Sequence, residues 1–206
     1  MENPRTIHDF YGFPSELYEI EYNAKGSKEI AELIKETVKS IKVGLDTEWG
    51  LDHGTWSILK HMYPKADIPV LQLSLDYHLP LEAQYQIGKE LNSLRNKGIL
   101  IIGSGNLVHN LTMMNPLGKP FPWAVDFDNF VKTNLEKRDD NSLIDYMKNK
   151  SASISHPSND HYLPLMYVLG AAGKEEKPKF FNEKIVLGSV GMRCILFWRS
   201  YNQALN

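Results

Sequence analysis

The chain has 206 residues, of which 42% are hydrophobic and 11% aromatic, and its formal net charge is −2. This size and apolar content suit one domain with a sizeable core, and the near balance of charge argues against the broad basic field of a nucleic-acid-binding protein. No run approaches the roughly 20 apolar residues that span a bilayer, and residues 1–5 lack the apolar stretch of a secretory signal. The single cysteine, Cys194, excludes an internal disulfide and a cysteine-rich zinc cluster. We therefore expect a cytoplasmic protein that binds neither nucleic acid nor membrane.

Strand and helix signals alternate along the chain, which predicts an α/β fold with a mostly parallel central sheet flanked by helices. Ser27 is expected to cap the first amphipathic helix, whose apolar stripe should face the sheet. The stripe consists of Ile30, Ile34, Val38 and Ile41. A strand is predicted at residues 68–75, with Pro69 near its start.

The next predicted helix carries Ile87, Leu91 and Leu94 and should end at Gly98, where glycine suits a left-handed backbone. Residues 98–103 form a short, unbroken, β-branched run, which is typical of a strand buried on both faces. Later helices are predicted at 123–136, 142–149 and 161–171, followed by two strands within 184–198 that are joined through Gly188 and Gly191.

Two segments place histidines where strands end or helices begin. His109 closes the stretch 103–110, and residues 156–161, which begin with His156 and end with His161, open a later helix. Small residues at a strand end let a ligand approach closely, and imidazole binds metals or moves protons near neutral pH. The simpler alternative is a tight turn at 103–105 with Asn106 as a helix cap. The segment lacks the glycine spacing of a dinucleotide or P-loop site, so nucleotide binding is disfavoured.

The other histidines give weaker indications of a functional site. His53 lies between two tryptophans and ahead of a short helix, so it is a candidate for lining an aromatic pocket. His8 and His61 are expected to be structural, and His78 is expected in a loop. Asp52 precedes His53 directly, but neighbouring residues rarely point at each other. A serine hydrolase is poorly supported because the sequence has no Gly-x-Ser-x-Gly elbow.

Taken in order, these motifs resemble the class III extradiol ring-cleavage dioxygenases, and more narrowly the 4,5-DOPA extradiol dioxygenase branch. The motifs are TIHDF (6–10), GFP (12–14), DHGTW (52–56), PVLQLS (69–74), GSGNLVHNL (103–111), HP (156–157) and HYLPL (161–165). The series spans nearly the whole chain. The resemblance implies an α/β fold and O₂-dependent cleavage of a catechol ring next to its hydroxyls.

The resemblance also implies roles for individual residues. His161 matches a metal-binding histidine, and His109 matches a histidine at the metal centre that serves as acid/base or as an additional ligand. His53 matches a pocket histidine that binds substrate. One Fe(II) is expected per site, Zn(II) can occupy it, and the implied partners are a small catechol and O₂. The resemblance implies nothing about oligomeric state.

The family also carries two N-terminal strands that end in Gly-His-Gly and Ser-Ala-His-Trp, and the histidines of both bind the metal. Neither motif occurs in these 206 residues. We therefore expect residues 1–206 to form one catalytic-type domain that is N-terminally truncated relative to the family, with a sheet lacking those strands. Two functions follow as hypotheses: an extradiol dioxygenase of aromatic compound metabolism, or a truncated, non-catalytic remnant that acts as a binding or interaction protein.

Overall fold

The computed structural model describes residues 2–198, and these divide into two compact units, residues 2–74 and 75–198. Each unit combines helices with short extended segments, so the fold is mixed. None of the described helices is long and apolar enough to cross a membrane.

The first unit contains three helices, α1 (Ser15–Tyr18), α2 (Lys28–Thr37) and α3 (His53–Met62). The Ser27 hydroxyl accepts a hydrogen bond from the Ile30 amide, which confirms the predicted cap of α2. No residue of α2 is fully buried, although Val38, the stripe residue at the C-cap of the helix, is only 3% exposed. Residues 2–74 form no strand, so the expectation that the stripe faces a sheet is not confirmed. The core of this unit instead lies under α3, at Tyr22, Ala24, Leu51, Trp56 and Leu59.

The second unit begins with α4 (Leu81–Leu91), which continues as a 3₁₀ helix, Asn92–Lys97. Gly98 follows with a left-handed φ of 77°, as the sequence predicted. The remaining helices are α5 (Pro122–Lys137), α6 (Asp140–Ile144), α7 (Ala152–Ser155) and α8 (Leu163–Ala171), with 3₁₀ turns at Leu111–Met113 and Tyr146–Lys148. The predicted helices at 123–136 and 161–171 are thereby confirmed, whereas 142–149 divides between α6 and a 3₁₀ turn.

Four short strands complete the second unit: β1 (Lys179–Phe181), β2 (Ile185–Val186), β3 (Val190–Gly191) and β4 (Cys194–Leu196). β1 pairs with β4 and β2 pairs with β3, both antiparallel. The region 184–198 therefore holds three strands rather than the predicted two. Among residues 2–198, parallel pairing is confined to an isolated bridge between Thr6 and Leu51.

The predicted strands at 68–75 and 98–103 are not strands within the described part of the chain. Both segments are non-helical, but neither forms a ladder of hydrogen bonds with a neighbour. Leu100 is 59% exposed and Ile102 is 43% exposed, so the expectation of burial on both faces is wrong. A strand depends on a partner that is distant in sequence, and no described segment pairs with these two.

Helices α4 and α8 approach closely because each has a glycine at the contact. A Cβ atom at Gly88 would lie 2.4 Å from the carbonyl oxygen of Tyr167, and one at Gly170 would lie 2.2 Å from that of Tyr85. Any larger residue would force the two backbones apart. The apolar core of this unit lies beside the pair and includes Val108, Phe127, Val131, Tyr162 and Met166.

Candidate active site

The rings of His109 and His161 stack on each other in the second unit. Their centroids are 3.4 Å apart and their planes differ by 13°. The two residues come from separate segments, one just before a 3₁₀ turn and the other two positions before α8. The structure thus brings together the two histidines that the sequence motifs singled out in this unit.

Asn106 fixes the orientation of the His161 ring. Its side-chain amide donates to the carbonyl oxygen of Gly191 at 2.8 Å, which turns its own oxygen toward His161. That oxygen accepts a hydrogen bond from Nδ1 of His161 at 3.0 Å, while the Asn106 backbone N–H donates to the His161 carbonyl at 3.1 Å. Because Nδ1 carries the proton, Nε2 of the neutral ring carries the lone pair that can bind a metal or accept a proton.

His109 is held by its backbone. Its N–H donates to the carbonyl oxygen of Ser155 at 2.9 Å, and the neighbouring Asn110 side chain donates to the carbonyl of Ile154 at 2.7 Å. These bonds join the segment 106–110 to the segment 154–161. The two histidines therefore share one hydrogen-bonded frame.

Glycines make the close approach of the two segments possible. A Cβ atom at Gly105 would lie 2.3 Å from the carbonyl oxygen of His161, and one at Gly103 would lie 2.8 Å from that of Pro164. Neither glycine is among those with a positive φ. The small residues thus serve close backbone contact rather than a tight turn, and Asn106 orients His161 rather than capping a helix.

Burial keeps His109 neutral. Loss of solvent lowers the pKa of its imidazole, and the negative charge of Asp160 opposes this only in part. Burial raises the pKa of Asp160 itself, but the hydrogen bond from Ser158 and the nearby imidazoles outweigh it and leave that pKa lowered. Asp160 Oδ2 lies 3.6 Å from Nε2 of His161. At neutral pH the site therefore combines the neutral imidazole of His109 with a carboxylate beside His161.

His156 has a structural position beneath the stack. Its Nε2 donates to the carbonyl oxygen of Leu107 at 2.8 Å, and its ring meets those of Phe127 and Tyr162 edge to face. Burial lowers its pKa to about 4, against the effect of the Leu107 hydrogen bond. His156 is therefore neutral near pH 7 and supports the loop that carries His109.

His53 lies in the first unit, as the first residue of α3. Its ring Nδ1 is 2.8 Å from Oδ1 of Asp9, and its backbone N–H donates to the same oxygen at 3.0 Å. Sequence reasoning missed Asp9 because 44 residues separate it from His53, although it stands within the TIHDF motif. Asp52, the neighbour considered from the sequence, instead caps α3 through the Thr55 N–H.

The remaining histidines have simpler surroundings. His8 Nε2 lies 3.0 Å from the carbonyl oxygen of Ile20, and its ring lies among Phe10, Tyr18 and Trp56. His61 is exposed near the end of α3, and His78 is exposed in a turn. The surroundings of these three histidines give no indication of a metal-binding or catalytic role.

Comparison with known proteins identifies the family of this arrangement. The family model described as the catalytic LigB subunit of aromatic ring-opening dioxygenase matches residues 1–193. The chain belongs to this LigB family. Its relatives include the 4,5-DOPA dioxygenase extradiol of Escherichia coli K12, which is 43% identical over 95% of this chain and 74% of the relative. The same-named protein of Beta vulgaris is 38% identical over 86% of this chain and 68% of the relative.

A solved structure agrees with this assignment. The crystal structure of the uncharacterized Escherichia coli K12 protein JW3007 matches with a TM-score of 0.81 at 38% identity, covering 93% of this chain and 80% of that one. Members of the LigB family are extradiol dioxygenases, and the family is metal-dependent.

The donors present fit part of a metal site of the LigB type. The His161 lone pair and the neutral His109 ring lie side by side, and neutral imidazole is a common ligand for Fe(II) and Zn(II). Among residues 2–198, however, no group of three or more His, Cys, Asp or Glu side chains is placed to hold a metal ion. Two imidazoles alone are therefore fewer donors than a full ligand set for such a site.

Proposed function

We propose that this chain supplies part of the active site of an extradiol ring-cleavage dioxygenase that acts on a catecholic, 4,5-DOPA-like substrate, with O₂ as co-substrate. The observation that carries the proposal is the 3.4 Å stack of His109 and His161, two imidazoles held in one frame. Relatives named 4,5-DOPA dioxygenase extradiol support the substrate class. In this function the imidazoles of His109 and His161 take part in opening the catechol ring.

In this proposal His161 is a metal ligand through Nε2, because its Nδ1 is committed to Asn106. His109 is the acid/base residue, or an additional ligand, and His53 binds substrate. The ion is one Fe(II) per site, with Zn(II) able to take its place. When bound, the metal would provide a centre where a catechol can bind and react with O₂.

Proton transfer falls to His109. A catechol hydroxyl must lose its proton before the ring can be attacked, and a neutral imidazole within hydrogen-bond reach can accept it. Burial lowers the pKa of His109, so the ring is unprotonated and ready to accept at neutral pH. The same nitrogen can return the proton later in the reaction.

The proposal extends to the setting of the site. We propose one catalytic-type domain over residues 1–206, supported by a family match that runs through both units. A parallel central sheet is proposed from the sequence pattern of residues 68–75 and 98–103 and from the parallel Thr6–Leu51 bridge, although the ladders within residues 2–198 are antiparallel. A cytoplasmic location is supported by the free thiol of Cys194, since reducing compartments keep thiols unpaired.

Ring cleavage of L-DOPA tests the proposal. The chain is assayed alone, and also joined behind an N-terminal segment that supplies the Gly-His-Gly and Ser-Ala-His-Trp motifs. Each protein is supplied with Fe(II) and O₂, and the yellow ring-opened product is followed by absorbance. We expect product from the joined protein and none above background from the chain alone. A folded, iron-loaded joined protein without product would refute the proposal.

A binding role without turnover is the second candidate. It is favoured by the incomplete set of metal donors within residues 2–198. Equilibrium dialysis against L-DOPA under argon measures binding, and the assay with O₂ measures cleavage. A binding protein retains the catechol in both forms under argon and cleaves it in neither form when O₂ is supplied. His61→Ala is a matched control for any histidine variant, since His61 is exposed on α3.

A further inference from the structure

We propose that Asp9 is a positioning residue that fixes His53 as the Nδ1–H tautomer and so presents Nε2 as a hydrogen-bond acceptor for a substrate hydroxyl. The inference about the substrate rests on the proposed function, whereas the inference about the tautomer does not. The carboxylate oxygen Oδ1 of Asp9 is 2.8 Å from Nδ1 of His53 and 3.0 Å from its backbone nitrogen. One carboxylate oxygen therefore contacts both the ring and the main chain of His53.

The double contact restricts the ring more than an ordinary surface ion pair does. His53 is the first residue of α3, where backbone N–H groups have no partner within the helix. The bond from this N–H to Asp9 anchors the carboxylate, and the second bond then sets the ring against it. Phe10 meets the ring edge to face at 5.7 Å and 86°, and Phe10 also lies 6.1 Å from Trp56. The ring is thus held on two sides.

The charge of Asp9 determines which nitrogen carries the proton. An ionised carboxylate only accepts hydrogen bonds, so Nδ1 of His53 must donate. Burial raises the pKa of Asp9, but hydrogen bonds from the His53 backbone and ring outweigh it and leave the pKa lowered, which keeps the carboxylate ionised at neutral pH. In the neutral ring the lone pair then lies on Nε2, and the described residues form no hydrogen bond with that atom. The His53 side chain remains 47% exposed.

This arrangement selects a chemical class of ligand. A neutral Nε2 accepts from a hydroxyl, such as that of a catechol, and would not pair with an anion. If the hydroxyl gives up its proton, the proton moves to Nε2 and the ring becomes an imidazolium. Its Nδ1–H remains on Asp9, whose negative charge stabilises the positive ring. A carboxylate that orients a histidine in this way acts through that histidine rather than on the substrate.

Imidazole ¹⁵N NMR tests the tautomer directly in the 206-residue chain. Isolated histidine favours the Nε2–H tautomer, so we expect His53 to show the opposite preference, by about tenfold for a charge-assisted bond. Asp9→Ala should reverse the preference, and Asp9→Asn should weaken it. His53→Gln assigns the resonances. A wild-type His53 with Nε2–H predominant would overturn the proposal without any variant.

Asp52→Ala is the matched control. It removes the side-chain cap of α3 but leaves the contact between Asp9 and the ring, so it should lower the melting temperature without changing the tautomer. A tautomer change as large as that of Asp9→Ala would make Asp9 merely structural and overturn the proposal. Addition of pyrocatechol under argon should shift the Nε2 resonance. If the Nδ1–H tautomer is found but the Nε2 resonance does not change when catechol is added, the positioning role is supported and the proposed catechol pocket is contradicted.

Discussion

His156 makes the stability of this protein depend on pH between about 4 and 6.5. Its pKa is about 4 in the folded chain, mainly because of burial, against 6.5 for an unperturbed histidine. Between those two values the unfolded chain binds a proton that the folded chain does not bind. Stability from this residue is therefore fully present above pH 6.5 and is lost as the pH falls toward 4.

The size of the effect follows from the same two values. Each pH unit in this window changes the free energy of unfolding by about 1.4 kcal/mol per proton. Over the whole interval from 6.5 to about 4, the loss reaches about 3 kcal/mol, and by pH 5 it is about 2 kcal/mol. Most carboxylates of the unfolded chain remain ionised at pH 5. Other histidines, including the half-buried His109, titrate in the same interval, so the contribution of His156 is read as a difference from a variant that lacks it.

Urea denaturation at several pH values between 7 and 5, in EDTA, measures the effect in the wild type and in His156→Gln. Glutamine retains a donor for the Leu107 carbonyl but cannot take up a proton. We expect the wild type to lose about 2 kcal/mol more than the variant between pH 6.5 and 5. Parallel curves for the two proteins would show that His156 is not kept neutral by burial, and would refute the reasoning.

Three further predictions concern the stacked histidines and the metal. In the joined protein, His161→Ala should remove metal and activity together. His109→Ala should instead slow turnover by about 10²- to 10⁴-fold and retain much of the metal. Equal metal loss in both variants would make His109 a ligand. Gly105→Ala should destabilise the chain by about 1–3 kcal/mol in thermal or urea unfolding, because its Cβ meets the His161 carbonyl. Gly44→Ala, with open space around it, is the control that should change little. By calorimetry, the 206-residue chain should bind Fe(II) or Zn(II) at least about 100-fold more weakly than the Escherichia coli relative, because residues 2–198 lack a third donor; tight stoichiometric binding would contradict this.

Local patterns predicted the helices well. The cap at Ser27, the left-handed Gly98 and the helix at Pro122–Lys137 each depend on residues within a few positions of one another. The neighbourhood of His109 and His161 was predictable from the order of the motifs. It was not predictable from periodicity, because the hydrogen bonds that join their segments connect residues about 50 positions apart.

Non-local features escaped prediction for physical reasons. Residues 98–103 have the composition of a buried strand, but composition does not reveal whether a pairing partner lies alongside. The bond between Asp9 and His53 leaves no spacing signal, since a loop and a helix start can meet at any separation. Asn106 was predicted as a possible helix cap because asparagine is common at that position. Its side-chain nitrogen instead donates to the Gly191 carbonyl, which directs its side-chain oxygen toward His161, and the sequence does not show that Gly191 lies there.

The close contact of α4 and α8 has a consequence for genetics. Gly88 and Gly170 each face a backbone carbonyl across the contact, so a substitution at either position moves a helix rather than a side chain. Helix α8 starts two residues after His161, and its displacement would carry that ring out of the stack. Random mutagenesis scored by activity should therefore recover loss-of-function alleles at these glycines, in positions that touch neither substrate nor metal. Because the obstacle in each case is a backbone carbonyl, which every residue carries, a smaller side chain on the opposite helix cannot restore the contact, and reversion should come from glycine itself.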